Sequence, residues 1–309
     1  MSKHVVVGAG PIGSAVARRL ADEGASVRIV TRSGGGPEHP LIERVAADAA
    51  DAGRLGELTM GADVLYNCAN PRYTAWERDW PPLSAAMITA ARRAGAVYAI
   101  TGNLYGYGPV PGGVMTEQTP LGATGRKGRV RIRMWREALD SGVRTLEVRA
   151  GDYIGAGAAS VFSAVLLPAA AKGRTAWVPG DLDVPHSFTY TGDVARTLIA
   201  LARDERAYGK AWHVPSPPPL TIRELAGRYF EVSGTKPVPM RSLPRFVMRA
   251  AGLAVPMARE LAEMDYQFYR PFVLDTSLTT RTFGLHATAL DAAMHEVADA
   301  AAATAARSM

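Results

Sequence analysis

Among its 309 residues the chain has one cysteine, Cys68, which excludes an internal disulfide, and no histidine constellation accompanies it to suggest a covalent nucleophile. The six histidines show no metal-ligand spacing, and neither a GxSxG elbow nor a P-loop occurs, so nothing supports metal or covalent catalysis. The longest apolar stretch, VFSAVLLPAAA at 161–171, is too short to cross a bilayer and is broken by Pro168. No signal-peptide pattern follows the first methionine, so a reducing cytoplasm and no membrane partner are the expectations. Long polybasic runs are also missing. The net charge of +6 and pI near 9.5 are therefore read as arginines on solvated helix faces, and nucleic acid is not an expected partner. A last absence is more local: between Tyr107 and Tyr153 there is no tyrosine.

What is present is an alternation of apolar strands and helical patterns. VVVGAG, SVRIVTR, DVLYNCAN, AVYAITGN and RTLEVRAGDY read as strands. Between them, residues 14–23, a segment around SAAMITAARRAG and the arginine-rich GRKGRVRIRMWRE read as helices. This predicts an α/β fold, a doubly wound parallel sheet of the Rossmann type spanning residues 1–152 and taking in about 187–208. After about residue 152 proline-rich loops and isolated helices, near TIRELAGRYFEVSG and from about Thr288 to Ala306, predict a smaller substrate-covering lobe over 153–309, wound onto the core.

The strongest motif is GAGPIG, with Gly8, Gly10, Pro11, Ile12 and Gly13 directly after the first strand and before a helix. Gly8 suits a tight turn, Gly10 a close approach of backbone to a pyrophosphate, and Gly13 close helix–strand packing, while the helix N-terminus favours an anion. A dinucleotide is the expected cofactor. At the end of the second strand, where a carboxylate would receive a free ribose hydroxyl, stand Thr31, Arg32 and Ser33. A guanidinium and two hydroxyls suit a 2′-phosphate, so NADP is expected, with NAD as the alternative.

These pieces, with AADAAD around Asp48, NCANP, TGNLYGYG, VRAGDYIG and FTYTGDVART in that order, resemble the short-chain dehydrogenase/reductase superfamily, in its extended NAD-dependent epimerase/dehydratase branch. The resemblance implies that Asp48 and Ala49 contact the adenine, that Ala69 and Asn70 run past the cofactor ribose, and that Asp152 and Tyr153 lie in the loop closing over the nicotinamide. It further implies a Thr101 hydroxyl that binds a substrate oxygen, four residues before Tyr105. Asn103 falls where some dehydratases keep a glutamate, and an amide takes no proton at neutral pH, which counts against sugar-nucleotide dehydration. Asp193 is expected to cap a helix.

In this family the proton donor is the tyrosine of a YxxxK motif, and here the surviving spacing is Lys127-x-x-x-Arg131, one turn apart on one helix face. Either Lys127 replaces the tyrosine, as in atypical members similar to isoflavone reductase, or it binds the nicotinamide ribose and leaves proton transfer to Tyr105, Tyr107 or the substrate. The arginines after 127 are read as a solvated face. The function expected is an NADP-dependent reductase acting on a carbonyl, imine or activated double bond of a small, hydrophobic metabolite. The alternatives are an NAD(P)-dependent epimerase/dehydratase on a sugar-like substrate, or a non-catalytic NADP-binding regulatory protein. The expected partner is a small molecule, and the chain is a monomer or homodimer.

Overall fold

The computed structural model describes residues 2–307, which divide into two compact units. The first comprises Met1–Gly108, Leu121–Arg149 and Val194–Val214. Its strands are β1 (Lys3–Val7), β2 (Ser26–Thr31), β3 (Ile42–Ala46), β4 (Val64–Asn67), β5 (Val97–Thr101), β6 (Thr145–Arg149) and β7 (Lys210–His213). All seven are parallel in one sheet, in the order β7-β6-β5-β4-β1-β2-β3. This is the Rossmann arrangement, and the order reverses between β1 and β4, the switch point at which open α/β sheets bind ligands.

The central strands are buried on both faces, as continuous apolar runs require. Val5, Val6, Val7, Leu65, Tyr66, Ala99 and Ile100 all lie in the interior. The connections are α1 (Pro11–Asp22), α2 (Ala52–Thr59), α3 (Trp76–Ala94), α4 (Arg126–Asp140) and α5 (Thr191–Ala202), the last entering this unit at Val194. Helix α1 buries Gly13, Val16, Ala17, Leu20 and Ala21, spaced for one face of a 3.6-residue period. Helix α3 starts earlier than its apolar pattern suggests and carries Pro81 and Pro82 inside it. Those prolines remove two helical donors, yet the turn persists because Trp76 and Trp80 bury in the core with Met87, Ala90 and Ala91. Full burial of such side chains is worth about 1.5–3 kcal/mol each, comparable with the cost of a helical proline.

The second unit comprises Pro109–Pro120, Ala150–Asp193 and Pro215–Met309. Short parallel pairs join Asp152–Ile154 to Phe188–Tyr190, Ala176–Val178 to Met240–Ser242, and Val114–Met115 to Val273–Leu274. A helix over Ile222–Ser233, opened by the capping box of Thr221 and Glu224, packs on the terminal helix Leu290–Arg307. Its core is Phe162, Leu166, Leu225, Tyr229, Met294 and Val297. Segment 109–120 and residues 150–152 and 187–193, read from the sequence as part of the Rossmann core, lie in this second unit, whereas residues 209–214, read as part of the lobe, lie in the first.

Candidate functional site

The glycines of the first turn divide by what surrounds them. Gly8 has φ +101° and donates its N–H to the Val30 carbonyl at 2.9 Å, and a Cβ there would stand 2.5 Å from the Cys68 carbonyl oxygen. A Cβ on Gly13 would stand 2.0 Å from the Gly8 carbonyl oxygen, so this glycine allows the helix to press on the strand end. Around Gly10 nothing lies within 4 Å of such an atom. Gly10 is the N-cap of α1, no side chain caps it, and Pro11 opens the helix. The missing side chain at Gly10 leaves room for an anion such as a pyrophosphate to approach the first-turn amides and the positive end of the helix dipole.

The other predicted cofactor residues of this unit gather at the same, carboxyl, ends of the strands. Ala47 donates its N–H to the Thr31 carbonyl at 2.9 Å, drawing the end of β3 to the end of β2. Asp48 accepts the Ala50 amide at 3.0 Å, and Ala49 is buried. Ala69 donates its amide to Asn67 Oδ1 at 3.3 Å, with Asn70 exposed beyond it. The hydroxyls proposed for a 2′-phosphate are occupied within their own turn, where Thr31 donates to the Gly35 carbonyl and Ser33 accepts from the Gly35 amide. Arg32 alone of the three presents an exposed charge. Its guanidinium and that of Arg72, which sequence reading passed over, both act on Asp79. The hydrogen bond from Arg78, joined by these two, holds the Asp79 carboxyl below its ordinary range.

Thr101 closes β5, with its hydroxyl 3.6 Å from Cys68 Sγ. Burial pushes the Cys68 thiol up to about 12 against the pull of that hydrogen bond. Cys68 is only half-buried, so a thiol-specific disulfide reagent at neutral pH is expected to label it slowly for want of thiolate, and fast once denaturant is added. Rapid labelling of the native protein would contradict this environment.

Asn103 uses its Oδ1 to accept the Tyr105 amide at 3.1 Å, a turn-forming role. The Tyr105 hydroxyl accepts a hydrogen bond from Tyr73 at 3.4 Å. Lys127 is 3% exposed; its ammonium donates to the Tyr73 carbonyl at 2.5 Å and lies 3.9 Å from the centre of the Tyr73 ring and 5.2 Å from that of Trp76. The structure thus seats Lys127 beneath aromatic rings. Tyr73 and Trp76 precede it by about fifty residues, and no motif marked Tyr73.

Lys127 and Arg131 share the inward face of α4, but the solvated-face reading fails for Arg131, which is 6% exposed. It donates to the Thr101 carbonyl at 2.7 Å and lies 3.6 Å from Glu147. Arg129, Arg133 and Arg136 are the exposed ones. Glu147, itself buried, also accepts from Arg149 at 2.8 Å, and Arg149 donates to the Tyr107 hydroxyl, which is 2.7 Å from His213 Nε2. Burial works against the charge on Arg149, yet Glu147 and Tyr107 hold its pKa above the ordinary value. Packing the network between strands selected Glu147, which no motif announced.

In the second unit Asp152 and Tyr153 lie on the strand paired with Phe188–Tyr190, and Asp152 is 3.3 Å from His186 Nε2. Asp193 receives both the amide and the hydroxyl of Thr288. Trp76 and Trp80 of the first unit and Phe272 and Met264 of the second are buried, whereas Met257 is well exposed. No group of three or more potential metal ligands occurs among the described residues.

Similar folds occur in MoeE5 in complex with UDP-glucuronic acid and NAD (TM-score 0.79, 18% identity, all of both chains). They occur also in UDP-glucose 4-epimerase from Thermotoga maritima with UDP-glucose (0.78, 14%, 98% of this chain and 99% of that one). A third is the Bordetella bronchiseptica enzyme WbmH with NAD+ (0.77, 19%, 97% and 98%). Over 81 residues the sequence is 41% identical to shikimate dehydrogenase (NADP(+)) of Haloarcula marismortui; the match spans 26% of this chain and 29% of that relative. The family model for NAD dependent epimerase/dehydratase matches residues 4–214, more than half of the chain, and this protein belongs to that family.

Proposed function

We propose that this chain is an NADP-preferring enzyme that epimerises, or oxidises and reduces, a hydroxyl-bearing carbon of a sugar-nucleotide-like substrate. The observation that carries the reading is the uncapped first turn of α1 over an open Gly10, between two glycines whose missing side chains the fold requires. Gly8, Gly10 and Gly13 would hold the pyrophosphate, Asp48 and Ala49 the adenine, Ala69 and Asn70 the ribose, and Arg32 the 2′-phosphate. When bound, the nicotinamide supplies a hydride donor or acceptor. Thr101 orients the substrate oxygen, and Tyr105 exchanges a proton with it. Asn103 is held by a backbone amide and takes no proton, which favours epimerisation or simple redox chemistry over dehydration.

Sugar nucleotides in the solved structures of similar fold support this substrate class. Net reduction by NADPH is the second reading, favoured by the short match to an NADP(+) dehydrogenase.

The test is a fluorescence titration with NADPH and NADH, followed by incubation with a panel of UDP- and dTDP-sugars read by proton NMR. The wild type is expected to prefer NADPH and to convert at least one sugar nucleotide to an epimer or its keto form. Binding of neither cofactor would overturn the reading. Arg32→Asp is expected to weaken NADPH binding about tenfold to 100-fold and to spare NADH, because one charge-assisted phosphate contact is lost. An unchanged NADPH affinity would remove Arg32 from the 2′-phosphate role.

A further inference from the structure

We infer that Tyr73 and Tyr105 act as a paired hydroxyl seated on the buried ammonium of Lys127, and that this pair moves the proton which a tyrosine at position 127 would otherwise move. The inference rests on the reading of the site as one of hydrogen transfer, and it adds Tyr73 and a new role for Lys127. Tyr105 stands four residues beyond Thr101, and its oxygen accepts the Tyr73 O–H at 3.4 Å. A phenol that accepts one hydrogen bond still holds its own proton. In the transfer the Tyr105 O–H bond breaks, a new O–H bond forms on the substrate oxygen, and the electron pair stays on the Tyr105 oxygen. The hydrogen bond from Tyr73 then strengthens, because it is made to the charged form. In the opposite direction the Tyr105 phenolate takes the proton of a substrate hydroxyl.

Lys127 is a positioning residue in this arrangement. Its ammonium grips the Tyr73 carbonyl and lies under the Tyr73 ring, which fixes the loop that delivers the Tyr73 hydroxyl. Trp76 closes the box, its ring 5.2 Å from that of Tyr73 and 5.8 Å from that of Tyr105. Out of water, a fixed positive charge acts on neighbouring oxygens more strongly than an exposed one. The charged groups facing the box are mainly cationic. Helix α4 contributes Lys127 and Arg131, the latter 6.0 Å from the Trp76 ring, and the loop of Tyr105 carries the neutral Asn103 and Tyr107, whose hydroxyl is held by Arg149 and His213. Of the acidic groups on the adjoining elements, Glu77 and Asp79 stand in the first turn of α3, where Glu77 is 3.7 Å from Arg126 and Asp79 is paired with Arg78, and Glu147 of β6 serves Arg131 and Arg149. By this arrangement the buried Lys127 cation favours the phenolate form of the pair over the neutral form.

The test needs no substrate. Tyrosinate formation in the full-length protein is followed by ultraviolet difference absorbance against pH, in wild type, Tyr105→Phe, Tyr73→Phe, Lys127→Met and Lys127→Arg, each also titrated with NADPH. One phenol is expected to ionise below the ordinary value of about 10. That step vanishes in Tyr105→Phe, moves up by about one pH unit in Tyr73→Phe and Lys127→Met, and is restored in Lys127→Arg. A step unchanged in Tyr105→Phe, or unmoved in both Tyr73→Phe and Lys127→Met, overturns the pair even if NADPH binds. Failure of the wild type to bind NADPH strikes the functional reading instead, and the two failures are thereby separated.

Discussion

Glu147→Ala is expected to lower the stability of the first unit by about 3–5 kcal/mol, a large part of the 5–15 kcal/mol that holds an ordinary domain folded. The residue is 3% exposed and is the acidic partner of two buried guanidiniums, Arg131 and Arg149. Removal leaves both cations in the interior, hydrogen-bonded to the neutral Thr101 carbonyl and Tyr107 hydroxyl and facing aromatic rings. A surface pair would cost less than 1 kcal/mol, because water replaces the lost partner; here water is excluded. The measurement is the urea midpoint, with Arg149→Met and the double variant completing a cycle. The double variant is expected to recover part of the loss, because fewer cations then remain unpaired. A Glu147→Ala protein that unfolds at the wild-type midpoint would show that the carboxylate does not neutralise this cluster.

Gly10→Val is expected to leave the fold intact while weakening NADPH binding by about 100-fold, or roughly 3 kcal/mol. Gly10 has φ −69° and ψ −176°, an extended conformation open to any residue, and an added Cβ meets nothing within 4 Å. The structural cost is that of a poorer helix cap, about 1 kcal/mol. The added isopropyl group would instead stand over the open first-turn amides, where an anion must approach. Gly13→Val makes the control, since its Cβ would collide with the Gly8 carbonyl at 2.0 Å and must displace helix from strand. Binding and melting temperature should therefore separate at position 10 and fall together at position 13. Wild-type affinity in Gly10→Val would mean that this turn does not cradle the cofactor.

The contrast between positions 10 and 13 shows why the glycine motif was readable. Its spacing encodes a turn, an approach and a packing contact within six residues, all set by local backbone geometry. Helix α3 was less readable, because Pro81 and Pro82 argue locally against the helix that Trp76 and Trp80 stabilise by burial. Of the three groups expected at the end of β2, the Thr31 and Ser33 hydroxyls satisfy the backbone of their own turn, which the local sequence did not announce, and Arg32 is exposed. The spacing put Arg131 on the face of Lys127, yet the density of arginines around it, Arg129 and Arg133 included, had it read as solvated. Burial separates them, and it follows from the side of α4 that faces β6.

The sequence alone determined the strand and helix alternation, the glycine turn and the sharing of one helix face by Lys127 and Arg131. Each of these is a matter of periodicity or backbone conformation over a few residues. Tertiary structure decided what those side chains meet. Lys127 finds its carbonyl partner 54 residues away, in a loop after β4, and Arg131 finds Glu147 on the strand after its own helix. A buried charge takes whatever partner the packed sheet brings within reach, and that choice is made by contacts distant in sequence.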